Sequence, residues 1–324
     1  MRGYWCLTAV TSIALVGVVA MGTGMGSISA RSMTAAQPSG PAKRPWLVGH
    51  RGASAYAPEN TVPAFRLAAD QGADFVEFDL QLTKDRQIVC LHDNSLERTT
   101  DVEQIFPDRF RKVGDGPQGA QRWMLEDFTL AEIKRLDAGS WFDAKFRGTR
   151  IPTFAETIDA LRGRSGLFIE LKTPERYDGI ETLILAELEA KGLARPGADA
   201  RTPVLLQSFT AASLQILHSL GTKLPVHFLV GPRDSAPWIT DEGIARIKAF
   251  ATGISPEKTI VADRADVVAR IKAAGLVLTP YTFRASAVGA GFADVGAEMG
   301  HFLTRVGVDG VITDNPDLMP RPKR

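Results

Sequence analysis

Four short stretches carry side chains that could do acid, base or metal chemistry: His50-Arg51, Glu77-Phe78-Asp79, His92-Asp93 and Glu170-Leu171-Lys172. Each closes or follows an apolar, β-branched run. Residues two apart on a strand point the same way, so Glu77 and Asp79 share one side, and Glu170 and Lys172 repeat the arrangement on another strand. Carboxylates from Glu77, Asp79 and Glu170 that meet in a poorly solvated place repel one another unless protonated or bridged by a cation. All-oxygen ligation suits a hard ion, so Ca2+ is the expected cofactor, with Mg2+ as the alternative. The competing account pairs these acids with Lys172 and Arg51 as a structural network. Histidine titrates near neutral pH, which makes His50 and His92 the candidate proton donor and acceptor, their order left open. Arg51 offers a planar fork for two phosphoryl oxygens, and Lys172 adds a point charge. Glu59 is placed to brace Arg51 or His50, or else to serve as an acid at a helix N-terminus. The set suits metal-assisted hydrolysis of a phosphoester with a poor alkoxide leaving group. His218, His227 and His301 have no comparable neighbours and read as structural.

These residues need a scaffold that delivers strand ends to one rim. Eight apolar runs recur: Trp46–His50, Asp74–Leu80, Gly166–Leu171, Pro203–Gln207, Pro225–Val230, Phe250–Ser255, Leu276–Pro280 and Asp309–Thr313. Amphipathic stretches such as Thr61–Gln71, Phe154–Arg162 and Asp178–Lys191 alternate with them. That alternation predicts a (β/α)8 TIM barrel, whose sites lie where the strands end. A doubly wound open sheet is the alternative, and no glycine-rich phosphate loop follows the first strand to support it. Gln207, at the end of the fourth strand, joins the rim as a substrate contact. After a short extra strand at Gln87–Leu91, residues 93–150 hold no barrel element beyond a helical patch at Thr129–Leu136, which predicts an inserted subdomain after the second strand.

The chain has 324 residues and a formal net charge of +1. Residues 1–30 read as a secretory signal: Arg2, the apolar stretch Leu7–Gly22, then small residues ending at Ala30. An uncleaved anchor is the other reading, but the apolar part is shorter than a spanning helix needs. Residues 31–43, rich in Ser, Pro and Ala, read as a tether, and the barrel is expected over 44–320. Export to the periplasm or the medium follows. Removing residues 1–30 takes away one arginine and brings the formal charge to zero, which argues against nucleic-acid binding by bulk charge. Of the two cysteines, Cys6 lies in the signal, so Cys90 has no intramolecular partner in the exported form.

The motifs resemble those of the glycerophosphodiester phosphodiesterases: His50-Arg51-Gly52-Ala53, then Pro58-Glu59-Asn60-Thr61, then Glu77-Phe78-Asp79, then His92-Asp93. The likeness continues through FIELK at 168–172, QSF at 207–209 and GVDGVITDNPD at 307–317. It implies a TIM barrel with an insert after the second strand and hydrolysis of small diesters such as glycerophosphocholine to sn-glycerol 3-phosphate and an alcohol. It also implies metal ligation by Glu77, Asp79 and Glu170 and acid/base work by His50 and His92. The segments at 100–112 and 126–136 are similar to the periplasmic, calcium-using branch. Near the seventh strand the family usually shows Trp-Thr-x-Asn, whereas Tyr281-Thr282-Phe283-Arg284 stands here. Tyr281 keeps an aromatic contact for substrate; Arg284 places a charge at the rim. Two other readings stay open: a lysophospholipase D or sphingomyelinase D-like enzyme on the same barrel, and a non-catalytic phosphodiester-binding protein.

Overall fold

The computed structural model describes residues 44–114 and 119–320. The expected signal and tether, residues 1–43, lie outside the described residues. In chain order the elements are β1 (Trp46–Gly49), α1 (Val62–Asp70), β2 (Phe75–Leu82), β3 (Ile88–Cys90), α2 (Val102–Ile105), β4 (Arg111–Val113), β5 (Ala120–Arg122), α3 (Leu130–Ile133), α4 (Phe154–Leu161), β6 (Gly166–Leu171), α5 (Ile180–Ala190), β7 (Val204–Ser208), α6 (Ala211–Ser219), β8 (Val226–Val230), α7 (Asp241–Lys248), β9 (Gly253–Pro256), α8 (Ala265–Ala273), β10 (Val277–Leu278), α9 (Val295–His301) and β11 (Gly310–Thr313). The parallel strands follow the order β10-β9-β8-β7-β6-β2-β1-β11, the sequence of a TIM barrel, with β3 antiparallel to β2.

The ring closes without a regular ladder. Pro280 has no N–H to give, and β10 ends before it. Scattered bonds join the edges instead: Asp309 N–H to Leu278 O at 2.8 Å, Ile312 N–H to Pro280 O at 3.1 Å and Phe283 N–H to Ile312 O at 2.9 Å. The run expected at Leu276–Pro280 is therefore only two residues of strand.

Alternation sorts the side chains. Outward-facing Phe78 packs against Phe65 of α1 and Phe154 of α4, with ring centroids 5.6 and 6.1 Å apart. Inside the barrel, Val48, Phe75, Phe168, Leu205 and Ile312 form an apolar plug that keeps the carboxylates above it away from bulk water. Nearer the N-terminal strand ends lies His227, fully buried, with Nδ1 3.2 Å from Ser255 Oγ and 3.1 Å from Thr279 Oγ1. A Cβ at Gly253 would stand 2.2 Å from His227 Nε2, so only glycine leaves room for that ring.

Residues 93–114 and 119–150 gather around an apolar cluster that includes Leu96, Val102, Trp123, Leu125, Phe128 and Ile133. The helical patch is shorter than expected; Thr129 caps it and Glu132 returns the bond to the Thr129 N–H. The stretch also contains a strand pair that the sequence reading lacked, β4 with β5. Among the described residues, no helix is long and apolar enough to cross a membrane.

Candidate active site

The register of the strands assembles the rim. Asp79 of β2 pairs with Glu170 of β6, and Glu170 pairs with Gln207 of β7. Carboxylate oxygens of Glu77, Asp79 and Glu170 all lie within 4.8 Å of one another, and all three residues are buried. His50 and Arg51 follow β1, and His92 follows β3 at the same end. A cavity of about 130 Å3 is lined by His50, Arg51, Glu77, His92, Glu170, Lys172, Gln207 and Tyr281, together with Phe209, Leu229, Thr282, Arg284 and Ile312. Every residue singled out from the sequence except Glu59 and Asp79 thus faces one space.

The backbone after β1 is wound tightly to achieve this. Arg51 takes a left-handed conformation at φ 53°, and Asn60 does so at φ 55°, uncommon values for residues with a side chain. Gly52 continues the turn at φ 88°, and a Cβ there would lie 2.5 Å from the Ala64 backbone. The turn aims the Arg51 N–H at Glu77 Oε2, 2.8 Å away. Asn60 donates from Nδ2 to Asp79 Oδ2 at 2.8 Å and accepts the Asp79 N–H at 3.1 Å. The Asp79 carboxylate cannot turn away without breaking the first of these bonds, and the second keeps the Asn60 side chain in place.

The cations are shared. Lys172 donates to Glu170 Oε1 at 2.9 Å and lies 3.6 Å from Asp79 Oδ1. Arg51 donates to Glu59 Oε1 at 3.0 Å, with its Nε 3.4 Å from Asp79 Oδ2. Burial opposes ionisation of Asp79, but the charges of Lys172 and Arg51 hold its carboxyl below the ordinary range. Glu77 has no cationic partner among the described residues; burial, then the charges of Asp79 and Glu170, push its carboxyl well up. Burial also raises Glu170. A buried carboxylate held only by a backbone N–H, beside two more oxygens donors of the same kind, fits a hard divalent cation. This cluster could bind a metal ion.

Each rim imidazole is backed by an aspartate. His50 Nδ1 donates to Asp314 Oδ1 at 2.6 Å, and His92 Nδ1 donates to Asp93 Oδ1 at 2.6 Å. A carboxylate can only accept, so in both rings Nδ1 carries the proton and Nε2 is left free to exchange one. Burial, then the Arg51 charge, lowers the His50 value, while Asp314 partly restores it. Asp314 also meets Arg284, its Oδ2 lying 2.9 Å from Nε. Asp93 is gripped by Arg98, which in turn donates to both oxygens of Glu59 at 2.7 and 3.0 Å. Asp314, Arg98 and Asn60 were absent from the sequence-derived set. The only hint of the first was its place at the end of the eighth strand.

The structure separates the two readings of Glu59. It braces Arg51 but not His50, and it lies outside α1, which begins at Val62 with Thr61 as its N-cap. Gln207 presents a buried Oε1 with no partner. The Tyr281 hydroxyl donates to Val230 O at 3.2 Å, so its ring rather than its OH faces the cavity. His218 is exposed on α6, and His301 meets Phe292 in a tilted contact and Phe302 edge to face.

A TIM barrel whose mouth brings together two carboxylate-backed imidazoles, an acidic cluster and cationic clamps is the frame of a phosphoric ester hydrolase. The chain belongs to the glycerophosphoryl diester phosphodiesterase family, whose model matches residues 50–318. It is 35% identical over 289 residues to a glycerophosphodiester phosphodiesterase of Bacillus subtilis, covering 86% of each chain. Among solved structures it is similar to an Oleispira antarctica phosphodiesterase in complex with the product sn-glycerol-3-phosphate. That likeness has a TM-score of 0.64 and 29% identity, covering 85% of this chain and 94% of that one. It is also similar to a glycerophosphodiester phosphodiesterase of Agrobacterium tumefaciens, with a TM-score of 0.63 and 27% identity, covering 85% and 98%.

Proposed function

We propose that the protein hydrolyses glycerophosphodiesters to sn-glycerol 3-phosphate and an alcohol, with His50 and His92 as the acid/base pair and Glu77, Asp79 and Glu170 as ligands of Ca2+ or, alternatively, Mg2+. The observation that carries this reading is that two imidazoles, each with a fixed tautomer, face the same cavity as the acidic cluster. A bound divalent cation would withdraw charge from the phosphoryl oxygens. Arg51 and Lys172 sit beside the cluster and bind the remaining oxygen charge. One imidazole takes the proton of the attacking water at Nε2, the new P–O bond forms, and the P–O bond to the alcohol breaks. The other imidazole, protonated, gives its Nε2 proton to the departing alkoxide. Gln207 Oε1 accepts from a substrate hydroxyl, and the Tyr281 ring, packed edge to face on Phe209, forms part of the cavity wall.

The reading extends to the rest of the chain. Residues 1–30 act as a cleaved signal and 31–43 as a tether, so the barrel of 44–320 works in the periplasm or the medium. Residues 93–150 are an inserted subdomain, as in the calcium-using branch. Its Asp101, Glu103, Asp108, Arg109, Arg111 and Lys112 favour small polar diesters. A second reading, cleavage of lysophospholipids, is favoured by Phe209, which is 42% exposed at the cavity mouth. Hydrolysis of glycerophosphocholine, followed by release of glycerol 3-phosphate, tests both. Activity should vanish on chelation and return with Ca2+ or Mg2+, and His50→Ala and His92→Ala should each lose about a hundredfold or more. Lysophosphatidylcholine turning over at least as fast would favour the second reading. Binding without turnover would leave a phosphodiester-binding protein.

A further inference from the structure

Three cations line the cavity: Arg51, Lys172 and Arg284. The first two belong to the acidic cluster, each shared between two carboxylates. Arg284 stands elsewhere. It follows β10, which lies across the mouth from β6 in the ring. Its Nε is held 2.9 Å from Asp314 Oδ2, while the other oxygen of Asp314 takes the His50 Nδ1 proton. The terminal nitrogens of Arg284 have no protein acceptor among the described residues, and its side chain is 42% exposed. The Asp314 charge thus lies beside the root of the guanidinium, without a hydrogen bond to Nε, and leaves its fork to the cavity. With the phosphoryl group beside the cluster, a fork on the far side of His50 meets the part of the diester beyond the scissile bond.

We propose that Arg284 is a specificity-determining residue that favours diesters whose alcohol portion carries an anionic group, a second phosphate or a carboxylate. The inference rests on the phosphodiesterase reading above and names the substrate class for that site. A cationic alcohol finds little there. Around this wall, among the described residues, the carboxylates are already engaged: Asp314 by His50 and Arg284, Glu170 by Lys172 and Glu257 by Thr259, while the Tyr281 hydroxyl is spent on Val230 O. Phe209 and Tyr281, edge to face with ring centroids 5.8 Å apart, offer a cationic alcohol ring surface but no charge.

A matched pair of substrates isolates the effect. Glycerophosphoglycerol and bis(glycerophosphoryl)glycerol present the same scissile bond, but the second carries an extra phosphate on the leaving alcohol. Values of kcat/KM for both, and for glycerophosphocholine as the cationic case, would be measured with the unaltered protein, Arg284→Gln and Arg284→Glu in the presence of Ca2+ or Mg2+. The ratio of the anionic to the neutral substrate should fall about fivefold to tenfold in Arg284→Gln, as for a half-exposed charge pair. Arg284→Glu should carry the preference toward glycerophosphocholine, and raised salt should weaken the preference of the unaltered protein. Any common loss from disturbing Asp314 and His50 cancels in the ratio. An unchanged ratio, or an equal loss on all three substrates, overturns the inference and places Arg284 on the scissile phosphoryl group or behind Asp314. Failure of the unaltered protein to cleave any of the three would overturn the phosphodiesterase reading itself, and this inference with it.

Discussion

Asp314→Asn removes one charge from behind His50 and leaves the side-chain shape almost intact. In the native site the carboxylate accepts the Nδ1 proton at 2.6 Å, with the two side chains 12% and 18% exposed. At an effective dielectric near 20, unit charges about 4 Å apart attract by about 4 kcal/mol, the upper bound on what Asp314 gives to a protonated His50. Solvent at the rim reduces that, so kcat/KM should fall by about tenfold to a hundredfold. Asparagine can also present its NH2 to Nδ1, which moves the ring proton to Nε2 and disables that nitrogen as a base. The pH profile carries a sign. Burial and the Arg51 charge already lower His50, and Asp314 opposes them; the variant also leaves the Arg284 charge unpaired. The His50 limb must therefore move to lower pH, whether His50 works as base or as acid. Release of glycerol 3-phosphate from about pH 5 to 9 measures both effects. A variant with native kcat/KM and an unmoved profile would refute the assignment of His50 to proton transfer through Asp314.

Arg98→Ala releases Asp93 and Glu59 together, so kcat/KM should drop about tenfold to a hundredfold with little change in melting temperature, because Arg98 is 42% exposed; Arg98→Lys should recover part of the rate. Glu77→Gln should raise the melting temperature of the cation-free protein, since burial and then Asp79 and Glu170 make that carboxylate costly. The same variant should lose most of the Ca2+-induced stabilisation of the unaltered protein, about 2.7 kcal/mol at a hundred times Kd; an undiminished Ca2+ shift would remove Glu77 from the ligand set. Burial lowers His227 from 6.5 to about 3. Its neutral form favours the fold fully above about pH 6.5, and that contribution is lost as pH falls, by about 1.4 kcal/mol per unit. Denaturant melts between about pH 7 and 4 should show a shallower slope in His227→Gln than in the unaltered protein; equal slopes would show that the fold takes up a proton at this ring without cost.

Much of the rim was legible because two strong regularities coincide there. Alternation along β2 and β6 puts Glu77, Asp79 and Glu170 inside, and a parallel barrel delivers its strand ends to one face. What escaped were the partners. Asp314 is 264 residues from His50, and only closure of the barrel brings the eighth strand beside the first. Arg98 lies among charged residues that read as solvated surface, and its grip on Asp93 and Glu59 depends on where the loop after β3 folds. The left-handed turns at Arg51 and Asn60 have no sequence signal of the kind a glycine gives. The β4–β5 pair was missed because its residues are exposed throughout, so no burial pattern marks the strands.

The structural-network and metal accounts of the cluster differ in what they ask of Glu77. A network built for stability would give each carboxylate a cation, yet Arg51 and Lys172 converge on Asp79 while Glu77 receives only a backbone N–H. Buried ion pairs contribute little even when complete, and an unpaired carboxylate is a cost that a purely structural role does not explain. Charge supplies the explanation. With all the acids ionised, the carboxylates that share Arg51 and Lys172, together with Glu77, outnumber these two cations, and the surplus negative charge repels a phosphodiester. A divalent cation would offset that surplus and let the diester approach. Under the metal reading proposed above, the arrangement that destabilises Glu77 in isolation would make diester binding conditional on the cation, and the instability at this residue would follow from that role rather than from a defect in the packing.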